Sequence, residues 1–225
     1  MTQATDDPAP AGKQMLSERV YDRLRSDVLH GMFAPGAALK PQELAQQQGV
    51  SLAVVRETLV RMVGDGLAVR LPNRGFATPA LSDRRWQQIT EARLTVEPEM
   101  LRLAIERGDL EWETRVRAAH HRLARTPQFD PDHDEYYSDA WVEAHRGFHR
   151  ALLEGCGNSI LLETFDRLWT ASELARRLAT HRSADRSASD EHSDLERAAL
   201  ARDPAATAAL VRHLSRTTAA LSPRD

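Results

Sequence analysis

The chain has 225 residues and a formal net charge of −3, so it has room for one large domain or two small ones and carries no overall positive charge of the kind that marks a nucleic-acid-binding protein. Hydrophobic residues make up 41% of the sequence and aromatic residues only 5%, a composition typical of helical proteins and not of β-sandwiches. Cys156 is the only cysteine, which excludes an intramolecular disulfide and a zinc cluster of thiolates.

The N-terminus is polar and rich in Pro and Ala, and we expect residues 1–14 to form a disordered tail. It has neither the basic start nor the apolar run of a signal peptide. No segment of the chain is long and apolar enough to cross a bilayer. The sequence therefore predicts a soluble cytoplasmic protein with no membrane partner.

Short helices and tight turns follow the tail. The helical spacing of Val20, Leu24 and Val28 predicts a first helix that stops near Gly31. A Pro-Gly turn leads out of it, and a short second helix then begins with Pro41 at its first position.

A third helix and two short strands complete this part of the chain. Ser51 can cap the third helix, which ends at Gly66. The segments LAVRL and FATPA are strand candidates joined by a turn at residues 72–75. Helices followed by a β-hairpin in this order indicate a winged helix-turn-helix, whose third helix enters the major groove of DNA while the hairpin lies on the flanking backbone or in the minor groove. A slight excess of Lys and Arg over residues 15–79 permits such contacts.

The second half of the chain predicts only helices. Ser82 can cap a long helix whose apolar face runs from Trp86 to Ala104. Asn158, or the serine after it, can cap a later helix, and Asp203 can cap the last one. Six or seven helices without a convincing strand predict an antiparallel α-helical bundle.

Four histidines in this half occupy positions where helical spacing favours an apolar residue. His145 and His149 lie on one helix, His192 on the next to last and His213 on the last. Because His145 and His149 are four residues apart, they project from one helix face on neighbouring turns. Burying an imidazole without a partner costs on the order of a few kcal/mol. Four such residues on converging helices indicate that something in the core satisfies them.

Arg93 lies on the apolar face of the long helix, so we expect it to point inward. A buried guanidinium could hold the carboxylate of an organic acid through two hydrogen bonds. It could equally form an ion pair with Glu97, four residues further on in the same helix. The sequence leaves both roles open. The arginines of LARRLATHRSADRS, by contrast, predict a solvated face.

The first part of the chain resembles the DNA-binding domain of GntR-type bacterial repressors. The matching features are the PG turn, ELA, the GVS turn, VRE-L, the DGL step and the RG wing. The resemblance implies DNA contacts by Arg56 on the third helix and by Arg74 and Gly75 in the wing. It implies that Ser51 touches a phosphate or caps the helix. The alternative for Arg56 is a surface ion pair with a nearby carboxylate.

The second part resembles the ligand-binding domain of the FadR-type (FCD) subgroup of the same family, on the stretches EARLTVEPEMLRLA, FHRALLEGCGN and EHSDLERAALARDPAATAALVRHL. Many members of that subgroup hold a divalent metal through three histidines and one aspartate. The resemblance implies that His149, His192 and His213 are metal ligands, and it puts His145 at the position of the aspartate. Four neutral imidazoles favour Zn²⁺ or Ni²⁺ over Mg²⁺ or Ca²⁺. The alternatives are a polar core held by hydrogen bonds, or a pocket whose imidazoles bind the effector directly.

These features predict a mainly α fold with a disordered tail over residues 1–14, a winged helix-turn-helix over 15–80 and a helical effector-binding and dimerisation domain over 81–222. The predicted function is that of a homodimeric transcriptional repressor, which binds operator DNA and responds to a small organic acid bound beside the metal. Two alternatives remain: a regulator in which the ion itself is the signal, and a helical metal-dependent hydrolytic enzyme. No general base accompanies the histidines and no GxSxG motif is present, which argues against the enzyme.

Overall fold

The computed structural model describes residues 10–72, 74–80, 82–131, 137–179 and 188–221. The chain divides into two compact units, Met1–Leu81 and Ser82–Asp225. The first helix begins at Pro10 and so takes in residues 10–14, which were expected to be disordered; a proline in the first turn of a helix loses no hydrogen bond. The rest of the expected tail, residues 1–9, lies outside the described residues. None of the helices described is both long and apolar enough to span a membrane.

The described part of the first unit consists of three helices and a three-stranded antiparallel sheet. In chain order its elements are α1 Pro10–Leu29, β1 Ala38–Leu39, α2 Pro41–Gln48, α3 Leu52–Gly64, β2 Val69–Leu71 and β3 Gly75–Ala77. The strand order is β1-β3-β2, so β3 is the central strand. Its residue Phe76 lies opposite Leu39 of β1 and opposite Arg70 of β2. This is the predicted winged helix-turn-helix. The two-residue strand β1 was not predicted, because two residues are too few to show an alternating pattern.

Local chemistry explains the boundaries of these elements. Val20, Leu24 and Val28 form the buried face of α1, as their spacing predicted. The helix α2 begins with a proline in its first turn and ends at Gly49, whose φ of 64° is the left-handed conformation that glycine adopts without strain. Ser51 caps α3, since its side chain accepts a hydrogen bond from the backbone N–H of Val54.

The second unit is an α-helical bundle, as predicted. The six helices described are α4 Asp83–Arg107, α5 Leu110–Arg125, α6 Asp139–Glu154, α7 Ser159–Ala179, α8 Ala188–Leu200 and α9 Ala205–Leu221. The long helix α4 packs against α6, α7 and α9, while α5 packs against α6 and α8, and α8 against α9. The buried faces of α6, α8 and α9 therefore meet in one interior, which positions the histidines. The core around them is apolar and includes the fully buried rings of Trp112, Phe148 and Phe165.

Gly108, which ends α4, lies against the side chain of Trp112. A Cβ atom at Gly108 would overlap the indole ring of Trp112 and would lie 2.6 Å from the carbonyl oxygen of Ala104. We predict that Gly108→Ala lowers the free energy of unfolding by about 1–3 kcal/mol, because a rigid ring and the backbone would both have to move. Denaturant unfolding followed by tryptophan fluorescence measures this in the second unit alone, since all four tryptophans lie there.

Gly147 provides the matched control for this substitution. It lies in the middle of α6, is exposed, and has open space where a Cβ would lie. Gly147→Ala should raise the free energy of unfolding by roughly 0.5–1 kcal/mol, since alanine loses less backbone entropy in a helix. Equal destabilisation by the two variants would show that the contact with Trp112 is unimportant.

Candidate metal centre and DNA-binding surface

The structure brings the four histidines to one point inside the second unit. The helix α6 supplies His145 and His149, α8 supplies His192 and α9 supplies His213. One ring nitrogen of each lies within 4.8 Å of the others, and the residues are between 1% and 5% exposed. The Nε2 atom of His145 lies 3.0 Å from Nε2 of His192 and 3.1 Å from Nε2 of His149. The expected convergence of the rings is therefore present. We call these four residues the histidine cluster.

Burial favours the neutral form of the two imidazoles on α6. It lowers the pKa of His145 well below the usual value near 6.5, and the adjacent rings of His192 and His149 and the charge of Arg176 lower it further. Burial likewise lowers the pKa of His149, with His213 and His192 adding to the effect. A neutral imidazole has one nitrogen lone pair, which is the form that binds a metal ion.

Glu191 orients the ring of His213. Its Oε2 atom lies 2.7 Å from Nδ1 of His213, and its Oε1 atom accepts a hydrogen bond from Arg216 at 3.0 Å. A carboxylate can only accept, so the proton of a neutral His213 ring is on Nδ1 and the lone pair of Nε2 is left for the centre of the cluster. Metal-binding histidines commonly have such a carboxylate on the second ring nitrogen.

The residues of the cluster fit a borderline divalent metal. Ligand nitrogens bound at about 2.1 Å in tetrahedral geometry lie about 3.4 Å apart. Two Nε2 separations in the cluster are slightly shorter, at 3.0 and 3.1 Å, and no candidate ligand atom lies more than 4.8 Å from another. The four donors are all nitrogens, which suits Zn²⁺ or Ni²⁺ better than Mg²⁺. None of the four is a carboxylate, so the cluster itself supplies no negative charge to balance an ion.

Arg93 points inward, and it also forms the intrahelical ion pair that was the alternative. Its Nε atom donates to Oε1 of Glu97 at 2.5 Å, and a second guanidinium nitrogen donates to Oε2 at 3.2 Å. The third nitrogen donates to the hydroxyl of Ser172 at 3.2 Å. The two roles that the sequence left open are thus compatible, because one edge of the guanidinium binds Glu97 and the remaining nitrogen donates, among the described residues, to a neutral hydroxyl.

Arg176 is a buried residue of this site that the sequence analysis assigned wrongly to a solvated face. It is 6% exposed, pairs with Glu173, and has one guanidinium nitrogen 3.1 Å from Nδ1 of His145. Its Cζ atom lies 4.5 Å from the ring centroid of Trp169. The spacing of Trp169, Glu173 and Arg176 along one face of α7 is the pattern that could have revealed it, but the arginines that follow it in the sequence obscured that face.

The residues predicted to contact DNA are exposed on the first unit. Arg56 projects from α3 on the side opposite the buried Val55 and Leu59. It forms no ion pair with any described residue, Glu57 included, and Asp65 instead accepts a hydrogen bond from Tyr21. Ser51 is exposed and caps α3.

The tip of the wing is also exposed. Arg74 is exposed beside Gly75, whose φ of 84° lies in the region that favours glycine. Nothing lies within 4 Å of the position where a Cβ of Gly75 would be, so the backbone there is open to a close approach by a partner.

Two protein-family descriptions match this chain, and together they span both units. The description "Bacterial regulatory proteins, gntR family" matches residues 16–77, and "FCD domain" matches residues 88–216. The chain belongs to the GntR family. The FCD match covers the helices that carry the histidine cluster, which confirms the resemblance stated from the sequence.

Similar proteins agree with this assignment. The GntR chain is 33% identical over 198 residues to the HTH-type transcriptional regulator BphR of Paraburkholderia xenovorans, covering 87% of this chain and 81% of BphR. It is 30% identical over 199 residues to the HTH-type transcriptional repressor GlaR of Escherichia coli, covering 85% and 89%. It is a DNA-binding transcriptional regulator and not an enzyme, so the hydrolytic alternative is excluded.

Solved structures share the fold. E. coli McbR/YncC superposes with a TM-score of 0.70 at 22% identity, covering 92% of this GntR chain and 96% of McbR. A GntR transcriptional regulator from Rhodococcus sp. RHA1 superposes with a TM-score of 0.72 at 22% identity, covering 92% and 99%.

We predict that the metal-free protein loses stability as the pH falls from 7 to 5. Histidines of the unfolded chain take up protons near pH 6.5, whereas the lowered pKa of His145 and His149 keeps both neutral in the folded state. Unfolding then takes up protons, so acid lowers the free energy of unfolding, and it does so most steeply below pH 6.5, where the histidines of the unfolded chain are mostly protonated. Urea unfolding at several pH values, with a chelator present, measures the slope.

Two single substitutions separate this effect from general acid sensitivity. His149→Phe should reduce the slope, because it removes one buried imidazole and keeps a ring in the core. His121→Ala, at an exposed position on α5, should leave it unchanged. The explanation is wrong if all three proteins show the same slope.

Proposed function

We propose that this GntR-family protein is a homodimeric repressor whose affinity for operator DNA is set by a small carboxylate metabolite bound beside a divalent metal. The observation that carries the proposal is the meeting of four buried imidazoles from three helices in a chain that also has a winged helix-turn-helix. A polar core held by hydrogen bonds alone would place four costly groups in the interior with no function for them.

The charges around the cluster favour an anionic effector. Arg93 is balanced by Glu97, and Arg176 by Glu173. Glu191 is shared between His213 and Arg216. A divalent ion held by neutral imidazoles would therefore keep most of its charge, and an effector carboxylate would balance it.

Arg93 offers the carboxylate a second contact. Its pair with Glu97 holds the guanidinium in place, and its remaining nitrogen donates to the hydroxyl of Ser172. A carboxylate that replaced this hydroxyl would form a charge-assisted hydrogen bond, which is roughly twice as strong as one to a neutral acceptor. Removing Arg93 alone would leave Glu97 buried without its counter-ion, so a test of Arg93 has to replace both members of the pair.

In this proposal, the first unit binds the operator. In a homodimer, two copies of α3 would lie in successive major grooves of a pseudo-palindromic operator, with Arg56 reaching base edges or phosphates and Arg74 and Gly75 at the flanking backbone. Ser51 would contact a phosphate as well as cap α3. Effector control requires a coupling free energy of only about 1–3 kcal/mol between the two units.

We predict that Arg56→Ala weakens operator binding by at least about tenfold, because one charged contact to a base or phosphate is worth about 1–3 kcal/mol. The operator is first selected from random DNA with the wild-type protein, and affinities are then measured by fluorescence anisotropy. Arg102→Ala removes the same charge from the exposed face of α4 and is the matched control. An Arg56→Ala protein that binds as the control does would exclude Arg56 from the interface.

We predict that the purified protein contains one Zn²⁺ or Ni²⁺ ion per chain. His149→Ala combined with His192→Ala should empty the site, while His30→Ala combined with His121→Ala removes two exposed histidines and should not. Elemental analysis measures the metal. Absence of stoichiometric metal in the wild-type protein, even after incubation with zinc or nickel, would support the polar-core alternative.

The same samples identify the signal. Thermal-shift screening of organic acids with and without metal should yield a carboxylate that binds only the metal-loaded protein and lowers its operator affinity. A metal that exchanges readily on dialysis and changes operator affinity without any acid would instead indicate a regulator that senses the ion.

A further inference from the structure

Nδ1 of His145 and Nδ1 of His213 both face outward from the cluster, but one lies beside a hydrogen-bond donor and the other beside an acceptor. Nδ1 of His145 lies 3.1 Å from a guanidinium nitrogen of Arg176. Nδ1 of His213 lies 2.7 Å from a carboxylate oxygen of Glu191. A guanidinium only donates hydrogen bonds and a carboxylate only accepts them. The proton of the neutral ring is therefore on Nε2 in His145 but on Nδ1 in His213.

The packing around His145 holds this arrangement in place. The ring of His145 stacks on Trp141 at a centroid distance of 4.6 Å and meets the edge of Trp169 at 5.1 Å. The guanidinium of Arg176 is fixed by Glu173 on one side and by the Trp169 ring on the other. Reversing the tautomer of His145 would break a charge-assisted hydrogen bond inside the core.

The distances between the rings do not single out one histidine. The centroids of His149, His192 and His213 are 5.4, 5.0 and 4.8 Å apart. His145 lies 4.8 Å from His149 and 4.7 Å from His192, so His145 and His213 lie on opposite sides of this pair, 6.3 Å apart. The partners of the outer ring nitrogens therefore distinguish the role of His145 from that of His213.

We propose that Arg176 fixes His145 as an Nε2–H donor, so that the metal is held by His149, His192 and His213 while His145 donates a hydrogen bond to an anionic oxygen ligand on the open side. This inference rests on the proposed metal function and divides the roles within the cluster. It also agrees with the short contacts of the metal-free protein, because Nε2–H of His145 can donate to the Nε2 lone pair of His192 at 3.0 Å or to that of His149 at 3.1 Å.

The consequence concerns the class of ligand that the site accepts. A carboxylate at position 145 would be a fourth ligand of the ion, and because it is negatively charged it would repel an anion beside it. A donor at that position attracts an anionic oxygen instead, and it leaves one side of the ion open for it. Arg176 is in this sense a positioning residue, which acts on the ligand through the tautomer of His145.

Nuclear magnetic resonance of the metal-free, full-length protein tests the tautomer directly. The protein is labelled with ¹⁵N at histidine, and long-range ¹H–¹⁵N correlations show which ring nitrogen carries the proton. His145→Phe, which keeps a ring between the two tryptophans, assigns the His145 signal by its loss. We expect the proton on Nε2 in His145 and on Nδ1 in His213; a proton on Nδ1 of His145 would overturn the proposal.

Substitutions of Arg176 test whether this residue is the cause. Arg176→Lys keeps a cationic donor and should preserve the Nε2–H tautomer of His145, whereas Arg176→Gln, whose amide oxygen can accept from Nδ1–H, should allow the other tautomer. A purely structural role of Arg176 would lower the thermal stability of both variants and leave the tautomer unchanged, which would contradict the inference.

Metal affinity then separates the ligands from the donor. Competition with a chromophoric chelator gives the Kd for Zn²⁺, and absorption of the Co²⁺-loaded protein reports the number of nitrogen ligands. His149→Phe should weaken Zn²⁺ binding by on the order of a hundredfold or more, since it removes a ligand. His145→Phe should keep one equivalent of Zn²⁺ with a Kd within about threefold of wild type, since it removes none. Thermal unfolding establishes that both variants are folded.

The outcomes distinguish this inference from the function on which it rests. A wild-type protein that binds no metal overturns both. A wild-type protein that binds metal, together with equal losses in His145→Phe and His149→Phe, establishes four histidine ligands and overturns only the division of roles. Loss in His149→Phe alone, with the Nε2–H tautomer at His145, supports it.

Discussion

Removing four imidazoles from water is unfavourable unless each ring finds a partner, and the helical unit is organised around that constraint. The rings satisfy one another at the centre, while Arg176 and Glu191 satisfy outer nitrogens of His145 and His213. These partners carry charge, so they must be balanced in turn, and Glu173 and Arg216 do so. The result is a chain of polar contacts through an otherwise apolar core, in which each residue fixes the orientation of the next.

The family to which the chain belongs gives this network a context, but the chain departs from the family pattern at one informative position. Where the resemblance places an aspartate, His145 brings a neutral ring that burial and neighbouring charge keep unprotonated. An aspartate beside Arg176 would form an ion pair, whereas an imidazole beside it must accept through Nδ1. A histidine in place of the aspartate therefore changes more than the charge of the site. Because Nδ1 of His145 accepts from Arg176, the N–H of the ring is on Nε2 and faces the other histidines.

Periodicity was enough to predict much of this structure, and its failures have physical reasons. The helical spacing of Val20, Leu24 and Val28 located α1, and the misplaced polar residues on α6, α8 and α9 located the cluster, because a buried face has to repeat with the helix. Arg176 was missed, because the arginines that follow it in the sequence obscured the helix face that it shares with Trp169 and Glu173. The contact between Arg176 and His145 joins α7 to α6 across 31 residues of sequence.

The helix α4 lies beside the cluster and is the first helix of the second unit. It carries Arg93, packs against the helices that supply His145, His149 and His213, and begins at Asp83, immediately after the boundary with the winged unit. An anion that drew Arg93 toward the cluster would act on the one helix that leads directly into the DNA-binding unit along the chain. Because Glu97 holds Arg93 by two hydrogen bonds within α4, an anion that bound the guanidinium would be attached to this helix. The buried ion pair, which adds little to stability by itself, would thereby position Arg93 for the proposed effector.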